Sequence, residues 1–319
     1  MTNEELNESL KNMRIEVNGN ARIVDLDDTI KFDCKRCGKC CSSRSDIMLN
    51  PYDVYRIAKS LNITTKEVIQ NYCDVYPGNN SGLPIVTLKE DKRGLCPFLK
   101  FSTSDGKFGC SINDSKPGAC IMHPIGVVRS VNVNNRDEHS KQFIEVPSCN
   151  VHGTETEVKI RDFIKPYLDN EECHEAGSLL VFEPERYVKP SEFINCLVKR
   201  DEESLQKRFS KKEIDSIKSL PEFISKASFV TYMGTTIDAL YDIDTNKDFM
   251  EQVDEIKERI RISCLKMITA FRTINLDFSS GQLTKKDEEL IKEITKNFEQ
   301  GFEDFCEKLE NEKIEGDKK

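Results

Sequence analysis

The sequence predicts an α+β protein in which an irregular, cysteine-rich module with short strands and two small helices precedes a mainly α-helical half. Nine of the 13 cysteines fall within residues 1–150. Short segments of alternating polarity in that part favour strands, whereas longer apolar stripes at helical spacing follow it. We therefore expect a cysteine-cluster module (1–150), a helical region (151–310) and a flexible tail (311–319).

Both helix starts and strands are predicted within the first half. Residues 22–32 partly alternate between apolar and polar, which predicts a strand. Asn50 before Pro51 predicts a capped helix, and Thr64 with Glu67 makes a capping box that predicts a second helix. Three later segments, PIVTLK, GVVRSVNV and KQFIEV, each predict a short strand. The cysteines fall in the intervening loops and at strand ends, so we expect an irregular module.

The second half is predicted to be helical. Thr154 and Glu157 make another capping box, and Pro166 is expected to bend or end the helix that follows. Residues 248–272 and 285–310 each place apolar side chains on one helical face. These stripes predict the core of a helical bundle.

Composition limits the compartment and the partners. The formal net charge is −9, with 20 Lys+Arg and 19 Asp+Glu in residues 1–150 but 27 and 37 in residues 151–319. Such an acidic balance argues against nucleic-acid binding. The sequence shows neither a secretory signal nor a run of ~18 apolar residues that would cross a membrane. We expect a cytoplasmic protein with no membrane contact, whose many reduced cysteines bind metal or carry out redox chemistry.

The spacing of the cysteines indicates which metal centre they form. Cys34-x2-Cys37-x2-Cys40 matches the start of the bacterial ferredoxin run, in which successive thiolates bind the irons of one cubane. Cys96, which precedes a proline, offers a fourth ligand. Zinc is the alternative, because a C-x2-C pair with a second pair also makes a tetrahedral site.

A second set of ligands lies in the same module. Four further cysteines could form a second four-ligand site: Cys41, Cys110, Cys120 and Cys149. Spacing alone does not decide which cysteine belongs to which site. His123 and His152 each follow one of these cysteines by three residues and are candidate ligands, but a loop histidine more often supports a ligand than binds the metal. The remaining cysteines are expected to be structural or incidental: Cys73, Cys173, Cys196, Cys264 and Cys306.

The cysteine segments together resemble a known family. In chain order they are CKRCGKCC (34–41), CPFL (96–99), GCSI (109–112) and KPGACIMHP (116–124). This pattern, over about residues 32–150, resembles the CxxCxxCC cysteine-cluster family, a YkgJ-like group described as zinc- or iron-chelating. It is also similar to the cysteine pattern of flagellin lysine N-methylases. That likeness implies methyl transfer from S-adenosylmethionine, bound near an iron, to a protein or peptide side chain. Ile121 and His123 stand where the family commonly shows an arginine and an aromatic residue. This difference weakens any inference about the substrate that is drawn from the resemblance.

Two function hypotheses follow. The sequence lacks the common motifs of dinucleotide, nucleoside-triphosphate, zincin and serine-hydrolase sites. The first hypothesis is an iron–sulfur protein with one or two clusters, [4Fe–4S] in type, acting as an oxidoreductase or methyltransferase on a protein or peptide substrate or an electron-transfer partner. The second is a non-catalytic, zinc-stabilised protein-binding module. Adjacent Cys40 and Cys41 suit two neighbouring centres better than one tetrahedron, which favours the first hypothesis.

Overall fold

The fold combines helices with short antiparallel strands, so the predicted α+β class is confirmed. The computed structural model describes residues 22–42, 47–77, 84–131, 139–146, 157–187, 234–273 and 283–296. The strands in chain order are β1 (Arg22–Val24), β2 (Thr29–Lys31), β3 (Cys73–Pro77), β4 (Pro84–Leu88), β5 (Leu99–Ser102), β6 (Lys107–Cys110), β7 (Ile125–Val131), β8 (His139–Glu145) and β9 (Glu157–Lys159).

These strands form four small sheets. One sheet has three strands in the order β1-β8-β7, and the others are the antiparallel pairs β2-β9, β3-β4 and β5-β6. Sheets of two or three short strands have little independent stability. Their stability therefore depends on what packs against them.

Helices of very different lengths accompany the strands. In chain order they are α1 (Pro51–Leu61), α2 (Thr65–Tyr72), α3 (Gly118–Met122), α4 (Ile160–Phe163), α5 (Lys165–Leu168), α6 (Glu171–Tyr187), α7 (234–241), α8 (Val253–Thr273) and α9 (285–296). In the parts of the chain given above, no helix combines the length and the apolar character needed to span a bilayer.

The chain divides into two compact units. The first unit contains the described residues within 1–80, 84–178 and 241–253. The second contains those within 179–240 and 254–319. The functional division predicted from the sequence, at residues 150 and 310, stays a prediction, and the tail 311–319 lies outside the described residues.

The core of the first unit joins strands to helices. A buried cluster includes Val24 and Ile30 from the first two strands, Met122 from α3 and Ile164 beside α4. Burying such side chains is worth about 1.5–3 kcal/mol each. The cluster thereby fixes α3, which also carries Cys120.

Both predicted helices of the first half are confirmed. Asn50 caps α1, since its side chain accepts a hydrogen bond from the Asp53 backbone N–H, and Pro51 occupies the first turn. Thr64 and Glu67 form the predicted capping box of α2. These caps bond backbone N–H groups that lack partners within the helix.

Two sequence-based assignments are wrong in detail. Residues 22–32 form two strands rather than one, because a turn at Asp25–Asp28 separates β1 from β2, and the two strands pair with different partners. Glu157 begins β9 instead of a helix, because residues 157–159 pair with β2 and helix α4 starts only at Ile160. Pairing across the chain therefore overrides the local helical pattern. Thr154 lies outside the described residues.

The predicted helical stripe of residues 248–272 is confirmed where the side chains are described. In the second unit, Ile256, Ile260 and Cys264 of α8 are all buried. Arg261 on the same helix donates to the Asp287 carboxylate of α9 at 2.7 Å. The stripe predicted for residues 285–310 is described only as far as residue 296.

Candidate metal centre

All the family-type cysteines that the structure describes line one pocket. The pocket measures about 170 Å³ and lies within the first unit. Its seven cysteines are Cys34, Cys37, Cys40, Cys41, Cys96, Cys110 and Cys120. The eighth predicted ligand, Cys149, lies outside the described residues. Cysteines as far apart in sequence as Cys34 and Cys120, 86 positions, thus contribute thiols to one space.

The first four cysteines are carried by a tightly turned loop. Arg36 and Gly38 have left-handed backbone conformations, with φ of 55° and 77°. A Cβ at Gly38 would lie 3.1 Å from the Phe108 ring, so the left-handed backbone and this close contact both favour glycine. A 3₁₀ turn over Lys39–Cys41 follows, in which the Cys41 N–H donates to the Gly38 carbonyl at 3.0 Å.

The β5–β6 hairpin holds this loop in place. The Phe108 N–H donates to the Arg36 carbonyl at 3.0 Å, and the Arg36 Nε donates to the Phe108 carbonyl at 2.8 Å. Arg36 also donates to the Asp105 carboxylate at 2.6 Å. Since Cys110 ends the same hairpin, these bonds bring it to the Cys34–Cys41 loop.

Cys96 lies beside Cys41 through the backbone. The Cys96 N–H donates to the Cys41 carbonyl at 2.9 Å, and the next pair, Ser42 and Leu95, forms an isolated antiparallel bridge. The Cys96 carbonyl accepts from the Leu99 N–H, which begins β5. Cys96 is therefore fixed between the first cysteine loop and the hairpin.

Cys120 enters the pocket from α3. Its N–H donates to the Pro117 carbonyl at 2.9 Å, and Met122 on the same helix is buried in the core. His123 ends the helix and also lines the pocket. The His123 ring packs edge-on to Phe32 at 6.2 Å, so packing against the core orients this candidate ligand.

The thiols lie close enough together to affect one another electrostatically. The Sγ atoms of Cys40 and Cys41 are 3.9 Å apart. The pKa of Cys41 is raised, first by this contact with Cys40, then by burial, and further by the neighbouring thiols of Cys96 and Cys120. Burial raises the pKa of Cys96, and the thiols of Cys110 and Cys40 raise it further. A bound cation reverses this effect, because it stabilises the thiolates that otherwise repel one another.

Apolar side chains line the pocket together with the cysteines, and the cysteines differ in exposure. Its walls include four buried side chains, from Ile47, Leu88, Phe98 and Ile112. Six of the cysteines are half-buried, whereas Cys34 is exposed. Cys34 is thus the most exposed of the seven cysteines.

The donor set fits zinc or iron. Thiolate sulfur is the preferred protein ligand of iron–sulfur clusters and a common ligand of zinc. None of the ten cysteines in the described residues is disulfide-bonded. Among these residues, no three His, Cys, Asp or Glu side chains meet in the arrangement of a formed metal site. The described thiols share one pocket, and a metal bound to such thiolates would contribute folding free energy.

The structure brings members of the two predicted ligand sets together. Cys40 of the first set is the immediate neighbour of Cys41 of the second, and Cys96 is close to both Cys40 and Cys110. The pocket is lined by described members of both sets. The allocation of Cys34, Cys37, Cys40 and Cys96 to one centre and the other four to a second stays a prediction.

The cysteines that were expected to be structural are buried where they are described. Cys73, Cys173 and Cys264 are all buried, and burial raises the pKa of Cys73 to about 12. None of the three lines the pocket. Cys196 and Cys306 lie outside the described residues, as does His152.

Two residues that support the pocket were not singled out from the sequence. Asp53 accepts a hydrogen bond from the Gly118 N–H at 2.8 Å, and Arg56 donates to backbone carbonyls in the segment before Cys120. Asp53 was recognisable as the third residue of a capped helix. Its bond to a residue 65 positions away had no local signal.

Comparison with known proteins gives one match, which covers the segment that carries the pocket cysteines. Residues 33–150 match the family model CxxCxxCC, whose description is "Putative zinc- or iron-chelating domain". Searches of curated proteins and of solved structures gave no match. The matched segment contains all eight predicted ligands. The resemblance predicted from the sequence is therefore confirmed as a match of residues 33–150 to this family model.

Proposed function

We propose that the cysteine pocket binds an iron–sulfur centre. One observation carries the proposal: seven thiols from four separate segments line a single pocket. In this proposal four cysteines hold a [4Fe–4S] cluster, namely Cys34, Cys37, Cys40 and Cys96. The other four hold a second cluster or metal, namely Cys41, Cys110, Cys120 and Cys149.

The number and closeness of the thiols support iron over a single zinc. One tetrahedral zinc uses four ligands, whereas seven cysteines already line the pocket without Cys149. Cys40 and Cys41 are adjacent in the chain and their sulfurs are 3.9 Å apart. Two neighbouring centres, or one cluster with several irons, use such a pair without leaving a thiolate in the pocket unbound.

The proposed activity uses the centre for chemistry on a partner. An iron–sulfur cluster supplies one-electron chemistry, and the protein supplies access and orientation. In this proposal a protein or peptide substrate, or an electron-transfer partner, approaches the centre at Cys34, and the exposure of Cys34 supports this. By resemblance to flagellin lysine N-methylases, methyl transfer with S-adenosylmethionine is the alternative reaction at the same centre.

A non-catalytic zinc module is the second candidate function. Four small sheets and the irregular cysteine loops are the kind of structure that a closed zinc–thiolate site stabilises. In this case the metal contributes folding free energy and the remaining surface binds another protein.

Composition analysis of anaerobically purified protein separates these functions. We expect a brown protein that contains iron and acid-labile sulfide, with absorbance near ~400 nm that bleaches on reduction. A Cys73→Ser variant serves as control, because Cys73 is buried and does not line the pocket. A colourless protein that contains zinc alone would contradict the iron–sulfur proposal and support the zinc module.

A further inference from the structure

A buried carboxylate connects helix α1 to the segment that carries Cys120. Asp53 is only 3% exposed. One of its oxygens accepts from the Asn50 N–H at 3.1 Å, which closes the capping box of its own helix. The other oxygen accepts from the Gly118 N–H at 2.8 Å. A single side chain therefore bonds the first turns of two helices.

Helix α3 depends on this bond because it has no cap of its own. Pro117 precedes the helix and makes no side-chain capping bond. Gly118 also lies against a packed wall, since a Cβ there would be 3.2 Å from the Cys173 Sγ and 3.4 Å from the Tyr167 ring. Asp53 thus supplies the acceptor that the local sequence lacks, and the wall leaves the helix start little freedom to move.

Arg56 attaches the same segment to α1 one turn further along. It donates to the Asp114 carbonyl at 2.6 Å and to the Lys116 carbonyl at 3.2 Å. Its guanidinium also lies 5.5 Å from the Tyr52 ring centre, which restricts its position. Together with the Gly118 bond, α1 contacts the backbone at residues 114, 116 and 118. This segment joins Cys110 to Cys120.

We propose that Asp53 and Arg56 are positioning residues for the metal pocket, which hold the thiol of Cys120 in place relative to that of Cys110. The proposal rests on the proposed function, because it presumes that these thiols bind metal. A ligand that is already held in place loses less freedom when the metal binds, and it releases the metal more slowly. Neither residue touches the metal in this account. Both act through the backbone.

Residue-resolved alkylation distinguishes positioning from general stabilisation. We compare Asp53→Ala and Asp53→Asn with wild type, using iodoacetamide and mass spectrometry to follow Cys120 and Cys37 in the metal-loaded protein during challenge with a chelator. Losing a hydrogen bond to a charged group costs enough that we expect Asp53→Ala to speed Cys120 labelling roughly tenfold relative to Cys37. Asp53→Asn keeps one acceptor for the Gly118 N–H, so its rate of Cys120 labelling should lie between those of wild type and Asp53→Ala.

The matched control is Val68→Ala in α2. Val68 is completely buried in the first unit, so its truncation destabilises the unit without removing a bond to the 111–119 segment. We expect Val68→Ala to speed the labelling of Cys37 and Cys120 equally. Equal acceleration in Asp53→Ala as well, or no change in either cysteine, would overturn the proposal.

Two further measurements keep the test decisive. If Asp53→Ala does not fold, Arg56→Lys replaces it, because one ammonium cannot bond both carbonyls in the geometry of the guanidinium. Selective acceleration at Cys120 is again expected, and equal acceleration contradicts the proposal. If wild type contains no metal, the proposed function fails. The ratio of Cys120 to Cys37 labelling in the metal-free chain then still decides whether Asp53 and Arg56 position Cys120.

Discussion

Two regions of the first unit are held together by different forces. Helices α1 and α2 have apolar side chains that are completely buried, including Val54, Ile57 and Val68. The cysteine loop from residue 33 to residue 42 has no buried residue at all. It is held by backbone bonds to the hairpin and to Cys96. Burial of apolar side chains therefore stabilises the helical region, whereas the stability of the cysteine region depends on the metal we propose.

Removing the metal should affect the two regions most unequally. We expect anaerobic chelation to lower hydrogen-exchange protection by roughly two orders of magnitude or more in residues 33–42 and 95–120. Protection in residues 51–72 should change little, because its apolar contacts remain. Hydrogen exchange with mass spectrometry measures both regions in one sample. An equal loss of protection in the two would refute the comparison.

Replacing single ligands should separate one centre from two. Cys37→Ser and Cys149→Ser each remove one predicted ligand, and we expect each variant to lose about one centre while keeping the other. Iron, zinc and sulfide content per chain gives the result, with Cys73→Ser as the matched control. Loss of all metal in both variants would favour one coupled site and contradict the two-site allocation.

The helical region should show a pH dependence of its own. Burial raises the pKa of Asp53 from 3.8 to about 6, against the lowering effect of its backbone hydrogen bonds and of Arg56. Burial raises the pKa of the Tyr241 phenol, and the nearby Asp53 charge raises it further. Because the folded state binds this proton more tightly than the unfolded state does, stability from Asp53 is greatest below pH 3.8. It falls as the pH rises to about 6.

The full loss amounts to about 3 kcal/mol. Asp53→Asn removes this titration, so its stability relative to wild type should increase by up to that amount between pH 4 and pH 7. Urea unfolding of both variants across this range measures the difference, and metal loss at low pH is common to both. A difference that does not change with pH would show that Asp53 is not a titrating buried carboxylate.

The smallest expected effect concerns the turn of the cysteine loop. Gly38→Ala places a Cβ at φ 77° and 3.1 Å from the Phe108 ring, which should cost about 2 kcal/mol. Gly106→Ala is the matched control, because φ is 65° there but no atom lies within 4 Å. That change should cost about 1 kcal/mol. Urea midpoints of the metal-loaded proteins provide the comparison, and equal costs would mean that the Phe108 contact does not restrict the loop.

The sequence predicted those features of the fold that depend on residues close together in the chain. The caps at Asn50 and Thr64 predict α1 and α2, and the spacing of Cys34, Cys37 and Cys40 predicts the metal loop. Contacts between distant residues were not predictable, because nothing in the local pattern specifies a partner. Strand β9 replaced the predicted start of a helix for this reason.

The long-range contacts that position the pocket were likewise not predictable from the sequence. The β5–β6 hairpin was not predicted, although its bonds to Arg36 bring Cys110 to the loop. The bond between Asp53 and Gly118 spans 65 residues and leaves no trace in the spacing of either. The sequence therefore singled out the cysteines that line the pocket, but it did not predict the framework that positions them.

Mössbauer spectroscopy of anaerobic protein produced with ⁵⁷Fe tests the central claim most directly. We expect iron in sulfur-bound clusters, with matching acid-labile sulfide, and loss of part of this signal in Cys37→Ser. Wild-type protein without cluster iron, and with zinc as its metal, would contradict it.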